Sequence, residues 1–178
     1  MSRRQGAGAP DPVSPDREPD QHEVARTIEL RQLTMAPRSR AQLAQALARR
    51  GCDPHVADTV LNRMEEVGLV DDVAYAGMLV RSQQASRGLA SRALRVELRR
   101  KGVDDEIAAQ ALDEVDPALE EDQARGLVEK RLRSMRGLDP QVQTRRLAGM
   151  LARKGYPSDL TLRVVREAVR ELPEHQRD

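Results

Sequence analysis

The pentapeptide Leu-Ala-Arg-Arg-Gly at residues 47–51 returns as Leu-Arg-Arg-Lys-Gly at residues 98–102 and as Leu-Ala-Arg-Lys-Gly at residues 151–155. The three glycines are 51 and 53 residues apart, and each follows leucines eight and four positions earlier: Leu43 and Leu47, Leu94 and Leu98, Leu147 and Leu151. Aliphatic residues also recur five, nine and ten positions after each glycine. A period near fifty residues predicts an array of repeats rather than one globular core.

The composition favours an all-α fold. The 178-residue chain has no Phe and no Trp, and Tyr75 and Tyr156 are its only aromatic residues. A core of Leu, Val, Ile, Met and Ala suits paired helices better than a β-sandwich. Each basic-basic-Gly signal also has the form of a helix C-terminus, where cations and a left-handed glycine are both favourable.

Each repeat is predicted to contain three helices. The first helices run through Val24–Leu33, Val73–Ser82 and Ala124–Leu132, the second end at the basic-Gly signals, and the third are Val56–Val67, Ile107–Val115 and Leu160–Leu172. Ser39 and Gln42 form a capping box at the start of a second helix, and Asp53-Pro54 and Asp139-Pro140 place a capping side chain before a helical Pro. Stacking of neighbouring units is expected to add much of the stability.

The predicted domains are an elongated array of three tandem three-helix repeats at residues 23–70, 71–116 and 117–172. Residues 1–22 hold four of the ten prolines and one large aliphatic residue, Val13, which predicts a disordered tail. Residues 173–178 are predicted to be a short C-terminal tail.

The net charge of +1 is unevenly placed. Arg and Lys against Asp and Glu give +1 for residues 23–70, −2 for residues 71–116 and +4 for residues 117–172. A dedicated nucleic-acid module is usually more basic than this. Local basic strips on a mixed surface favour a partner that also carries mixed charge, such as protein with or without nucleic acid.

The candidate binding residues lie on the second helices of repeats 2 and 3. Arg92, Arg95 and Arg99 follow one another at i, i+3 and i+7, away from the stripe of Leu94 and Leu98. The full candidate set adds the residues that follow them and their counterparts in repeat 3: Arg100, Lys101, Arg145, Arg146, Arg153 and Lys154. These side chains either form a solvated face with intrahelical ion pairs or line one wall of a binding groove. The third helices lack the Arg-, Asn- or Gln-rich surface that a DNA-reading helix-turn-helix requires.

The sequence contains no recognisable catalytic constellation. The three histidines are scattered, no phosphate-binding loop or nucleophile motif is present, and the carboxylate clusters stand at predicted helix starts, where they cap. We therefore expect no enzyme activity, no cofactor and no metal. The lone Cys52 allows no internal disulfide and is expected to be a small packing residue. No long apolar run or signal peptide is present, so we expect a cytosolic protein without membrane contact.

The chain resembles the RecX family over roughly residues 24–172. The resemblance rests on Gly-Leu-Val-Asp-Asp-Val-Ala-Tyr-Ala at residues 68–76, Val-Arg-Ser at 80–82, Arg-Gly at 87–88 and the stretch from Arg92 to Val103. The later Arg-Lys-Gly-Tyr at residues 153–156 resembles the family's third repeat. The resemblance implies three three-helix repeats that bind RecA and lie in the groove of the RecA–single-stranded-DNA filament. It also implies inhibition of the RecA ATPase, strand-exchange and co-protease activities, and so a role in recombination and the SOS response.

Two other functions fit the residues themselves. The chain could bind nucleic acid directly without RecA, or it could act as a scaffold that joins two proteins. The weak net charge disfavours the first alternative, because affinity for a polyanion would rest on few phosphate contacts. We expect a monomer whose direct contact with DNA is weak at most.

Overall fold

The structure, a computed structural model, describes residues 20–172, which form nine α-helices and one 3₁₀ turn, with no β-strand among them. Repeat 1 contains α1 (Gln21–Met35), α2 (Arg40–Ala48) and α3 (Pro54–Glu66). Repeat 2 contains α4 (Asp72–Arg87), α5 (Ser91–Arg100) and α6 (Asp105–Asp113). Repeat 3 contains α7 (Pro117–Leu132), the 3₁₀ turn (Arg133–Met135), α8 (Pro140–Arg153) and α9 (Ser158–Arg170). The all-α array of three-helix repeats is confirmed.

Four of the second and third helices, α2, α3, α6 and α8, begin at capping side chains, whereas α5 and α9 begin without a side-chain cap. Ser39 and Gln42 form both bonds of the capping box of α2. The carboxylates of Asp53, Asp104 and Asp139 accept hydrogen bonds from backbone N–H groups in the first turns of α3, α6 and α8. These bonds satisfy N–H groups that have no partner inside the helix, which is why short polar side chains mark the helix starts so reliably.

The first helices begin earlier than predicted. The Asp20 carboxylate accepts from the His22 N–H, so α1 starts at Gln21, and the last two residues of the predicted tail 1–22 are helical. The other predicted tail residues, 1–19 and 173–178, lie outside the described residues. Helix α7 starts at Pro117, seven residues before the predicted stretch, because Asp116 caps it and Pro117 occupies the first helical position.

The basic-Gly signals end their helices as predicted. Gly51, Gly102 and Gly155 have φ values of 73°, 75° and 88°, in the left-handed region. Space around Gly51 is open, whereas an added Cβ would overlap the Cβ of Ala41 at Gly102 and the backbone N of Ala93 at Gly155. The last two glycines are therefore required twice, for their backbone conformation and for the close approach of a neighbouring repeat.

Each repeat has its own apolar core. The leucine pairs 43/47, 94/98 and 147/151 are almost fully buried, and each pair belongs to a different cluster of buried side chains. Helix pairs in extensive contact all belong to the same repeat. Cys52 packs at the edge of the first core, as expected for a small packing residue. Most close packing between helices is therefore within repeats, and the contribution of stacking to the stability stays a prediction.

Neighbouring repeats meet end to end at their second helices. At the first joint, the Ser39 hydroxyl at the start of α2 donates to the Lys101 carbonyl at the end of α5, and the Arg40 N–H donates to Asp72 at 2.8 Å. At the second joint, the Ala90 N–H at the start of α5 donates to the Lys154 carbonyl at the end of α8 at 2.9 Å. The recurring basic-Gly signals therefore form the contacts between repeats as well as the helix ends.

The second joint contains more polar contacts than the first. Glu120 accepts from the Ser91 hydroxyl at 2.7 Å and from the Ser91 N–H at 3.4 Å. The Gln123 amide donates to the Gln84 carbonyl at 2.7 Å, and the buried Tyr156 hydroxyl donates to the Gly88 carbonyl at 3.2 Å. This network fixes the orientation of repeat 3 against repeat 2.

Candidate partner-binding surface

Helix α5 carries the predicted arginine row. Leu94 and Leu98 are buried in the core of repeat 2, which turns Arg92 and Arg99 to the exposed side of the helix and leaves Arg95 half-buried. The last turn of the helix contains two arginines, Arg99 and Arg100. Their charge is favourable there, because the helix dipole places partial negative charge at the C-terminal end. The leucine stripe and the arginines lie on different sides of this helix, but Arg95 is not part of a fully exposed row.

Two members of the candidate set form local ion pairs. The Arg99 guanidinium binds the Asp105 carboxylate through two hydrogen bonds of 2.8 and 3.1 Å, and these bonds hold the pKa of Asp105 below its usual value. Arg100 donates to Glu97 at 2.8 Å. Only the Arg100 pair lies within one helix, as the solvated-face alternative has it, whereas the Arg99 pair joins α5 to α6. Both arginines are already paired with neighbours in the same repeat.

The two lysines of the set lie at the joints. Lys101 is half-buried, and its carbonyl accepts the Ser39 bond across the first joint. The Lys154 ammonium donates to the Arg87 carbonyl, and the Lys154 carbonyl accepts from the Ala90 N–H. Both lysines therefore have a structural role in connecting repeats, which the sequence alone does not reveal.

A groove at the second joint brings together arginines from two repeats. Arg92 of α5 and Arg153 of α8 line this groove, together with Arg87 at the end of α4. Of the candidate binding residues, only Arg92 and Arg153 line this groove, and the hypothesis that the repeats align arginines along one groove wall stays a prediction. We refer to this feature as the joint groove.

Arg145 and Arg146 lie away from the joint groove. Both are exposed on α8, and neither lines the groove. Arg145 stands 53 residues after Arg92 and is its counterpart in repeat 3. Arg92 meets the end of the following repeat's second helix, whereas no fourth repeat follows Arg145 within the described residues.

Sequence reasoning missed Arg87 and Val96, which also line the joint groove. The Arg87 guanidinium donates hydrogen bonds to the side chains of Gln83, at 3.1 Å, and Glu97, at 3.4 Å. Val96 is 63% exposed on a helix face that is otherwise polar. An aliphatic residue in the middle of a basic face is a usable sequence signal, but its significance depends on the neighbouring repeat, which local patterns do not position.

Two arginines of repeat 3 form ion pairs with glutamates of α7 and α9. Arg125 donates to Glu121 at 2.7 Å and to Glu167 at 2.6 Å, and Arg163 donates to Glu121 at 2.6 Å. Hydrogen bonds from Arg125 and then Arg163 lower the pKa of Glu121 below its usual value. These two arginines are therefore already paired, and the net positive charge of repeat 3 lies on its other basic side chains.

Two site classes have no counterpart in the described part of the chain. Residues 20–172 contain no cluster of three or more His, Cys, Asp or Glu side chains suited to a metal ion. Within the same range, no helix has the length and apolar character that crossing a bilayer requires.

Three family domains match the chain in order. They are described as the first three-helix domain of RecX at residues 25–64, the second at residues 71–112 and the third at residues 119–165. Each match falls within one of the three repeats described above, and together they cover most of the chain.

Curated relatives share about half of their residues with this chain. The Regulatory protein RecX of Streptomyces coelicolor is 51% identical over 152 residues, covering 85% of this chain and 81% of the relative. The Regulatory protein RecX of Thermobifida fusca is 51% identical over 148 residues, covering 83% and 80% of the two chains.

Two solved structures share the fold. The crystal structure of RecX from Lactobacillus salivarius superposes with a TM-score of 0.76 at 20% identity, covering 83% of this chain and 96% of that one. A crystal structure of regulatory protein RecX gives a TM-score of 0.74 at 22% identity, covering 83% and 72%. At these identities the likeness concerns the arrangement of the helices.

Proposed function

The chain belongs to the RecX family, and on that premise we propose that it is a regulator that binds RecA and the RecA–single-stranded-DNA filament. In this proposal it inhibits the ATPase, strand-exchange and co-protease activities of RecA, and so moderates recombination and the SOS response. It acts in the cytoplasm as a monomer, without a cofactor and without chemistry of its own.

The observation that supports this function best is the joint groove. Arg92 and Arg153 come from different repeats and have no ion-pair partner within the described residues, unlike Arg99 and Arg100. Cationic side chains left unbalanced at a joint are available to carboxylates of a protein or to phosphates of DNA. A filament made of both offers such groups in a regular arrangement.

The direct test is ATP hydrolysis by RecA on single-stranded DNA, with and without this protein. We expect a lower steady-state rate that falls further as the protein concentration rises to saturation. An unchanged rate at saturating protein contradicts inhibition, and a raised rate identifies a stimulator. Binding to single-stranded DNA at the same strength without RecA would favour the alternative of a direct nucleic-acid-binding protein.

A charge reversal tests the residues. The double variant Arg92→Glu, Arg153→Glu is expected to bind the filament at least about tenfold more weakly, equivalent to about 1.4 kcal/mol. The loss should shrink as salt rises, because exposed charges are screened over about 8–10 Å. The matched control is Arg133→Glu, an exposed arginine outside the joint groove. Circular dichroism checks that every variant keeps its helices.

A further inference from the structure

The joint groove is apolar as well as basic. Its volume is about 320 Å³, and its lining includes Leu89, Ala93 and Val96 from repeat 2 and Ala152 from repeat 3. Val96 is 63% exposed in the free protein, so an occupant that covers it removes aliphatic surface from water. Phosphate groups gain nothing from such a floor, whereas an aliphatic side chain does.

The acidic residue of the groove is already balanced. Glu97 accepts from Arg87 at 3.4 Å and from Arg100 at 2.8 Å, and its side chain is only 17% exposed. Arg92 and Arg153 therefore contribute the unbalanced charge of the groove. Two guanidinium groups beside an aliphatic floor are complementary to a short segment with one or two carboxylates around an apolar side chain.

The combination is specific to the second joint. Counting from the glycine signals, the counterparts of Val96 are Gln45 in repeat 1 and Gly149 in repeat 3, and the counterpart of Arg92 in repeat 1 is Ala41. The first joint therefore presents neither the aliphatic side chain nor the arginine at these positions. A general need of the repeat fold would place them at every joint, so a requirement of the second joint alone is the better explanation.

We infer that the joint groove binds an acidic, leucine-containing peptide segment of a protein partner. A polyanion is less well matched, because the chain's net charge is only +1 and repeat 2 carries a net negative charge. This inference rests on the proposed function in one respect, that the partner is a protein. It adds the chemistry by which the partner is held: carboxylates on Arg92 and Arg153, and an aliphatic side chain against Val96.

The test uses the full chain and three fluorescein-labelled probes in a polarisation assay. The probes are a short peptide of aspartates around two leucines, the same peptide with both leucines changed to serine, and a short oligothymidylate. We expect the leucine peptide to bind and the serine peptide to bind at least about fivefold more weakly, because it loses the burial of the aliphatic groups.

Two substitutions locate the site. Val96→Gln, which introduces the residue of repeat 1, and Arg92→Ala are each expected to weaken leucine-peptide binding by about fivefold. The matched control is Leu119→Gln, because Leu119 is 66% exposed, nearly the same as Val96, and lies outside the groove. Equal binding by Val96→Gln and the parent overturns the inference, and so does equal binding of the two peptides.

The outcomes separate this inference from the proposed function. Loss of RecA inhibition in the Val96→Gln variant, with folding intact, supports both proposals. RecA inhibition by a parent protein that ignores the leucine peptide overturns the groove inference and leaves the proposed function standing. A parent protein that binds the leucine peptide but has no effect on RecA supports the groove inference and overturns the proposed function. Oligothymidylate that displaces the leucine peptide from the groove assigns the site to nucleic acid and overturns the inference.

Discussion

Glu29 is the residue that fits its surroundings least well. It lies in α1 with 0% of its surface exposed, and neither carboxylate oxygen has a hydrogen-bond partner. In each repeat the first helix has a buried alanine four residues before this position. Repeats 2 and 3 have a buried valine here, Val80 and Val128, whereas repeat 1 has Glu29. Burial raises the pKa of Glu29 to about 7, and Arg50 opposes this shift. A buried carboxyl that lacks partners is more stable protonated than charged.

We predict that Glu29→Val stabilises the protein at pH 8. A carboxyl with a pKa of about 4.5 in the unfolded chain and about 7 in the folded chain stabilises the fold fully below pH 4.5. That contribution is lost as the pH rises to 7, and the loss amounts to about 3 kcal/mol at most. Urea unfolding should therefore show that the free energy of unfolding falls less between pH 5 and pH 8 for the variant than for the parent.

The second buried glutamate provides the contrast. Glu120 accepts two hydrogen bonds from Ser91 at the second joint, so Glu120→Gln is expected to destabilise the protein rather than stabilise it. Glu29→Gln separates charge from shape, because it removes the ionisable group and keeps the volume. If the free energy of unfolding falls equally with pH in the parent and in Glu29→Val, Glu29 is not the source of the pH dependence.

At the scale of single helices, local signals were sufficient for most of the fold. Helix ends depend on a capping side chain and the next few N–H groups, so Asp53 and Asp139 could be identified from the sequence. The bond between Arg99 and Asp105 also spans few residues, but its choice over other local pairs depends on the turn between α5 and α6. The joint groove could not be predicted, because Arg92 and Arg153 are 61 residues apart and meet only through the joint.

Helix α2 tests how a cap and a joint combine. Ser39 accepts the Gln42 N–H as the helix cap and donates to the Lys101 carbonyl in the next repeat. We predict that Ser39→Ala lowers the free energy of unfolding by about 2 kcal/mol, the upper end of the range for a lost cap, because the joint bond is lost as well. Urea denaturation followed by circular dichroism provides the measurement.

The control for this prediction is Asp53→Ala. Asp53 caps α3 through the His55 and Val56 N–H groups and makes no hydrogen bond to another repeat. Its loss should cost about 1 kcal/mol, the usual value for a cap alone. Equal costs for the two variants would mean that the bond across the first joint adds nothing to stability.

At the scale of the whole molecule, three small cores are connected by narrow joints. The core clusters are separate, and helix pairs from different repeats share few contacts. Repeat 1 is the least apolar unit at its first helix, since α1 buries Ala25 and Glu29 where α4 buries Tyr75, Ala76, Leu79 and Val80. Cooperativity between units in such an array depends on the interfaces between neighbours.

We predict that thermal unfolding is not two-state, with repeat 1 unfolding before the other two at pH 8. Calorimetry should give a van't Hoff enthalpy below the calorimetric enthalpy, because the units do not unfold as one. Among the nine described α-helices, amide hydrogen exchange should be fastest in α1. A single transition with equal enthalpies would show that the joints couple the repeats more strongly than their contacts suggest.

The end-to-end order of the second helices has a directional consequence. The start of α2 meets the end of α5, and the start of α5 meets the end of α8, so the three helices follow one another head to tail. This series of helices has two unlike ends: the C-terminal end of α2 at Gly51 and the N-terminal end of α8 at Asp139. An array with two unlike ends is not superposable on itself after its direction is reversed. A polymer with its own polarity, such as a single DNA strand or a head-to-tail protein filament, is matched in only one of the two orientations.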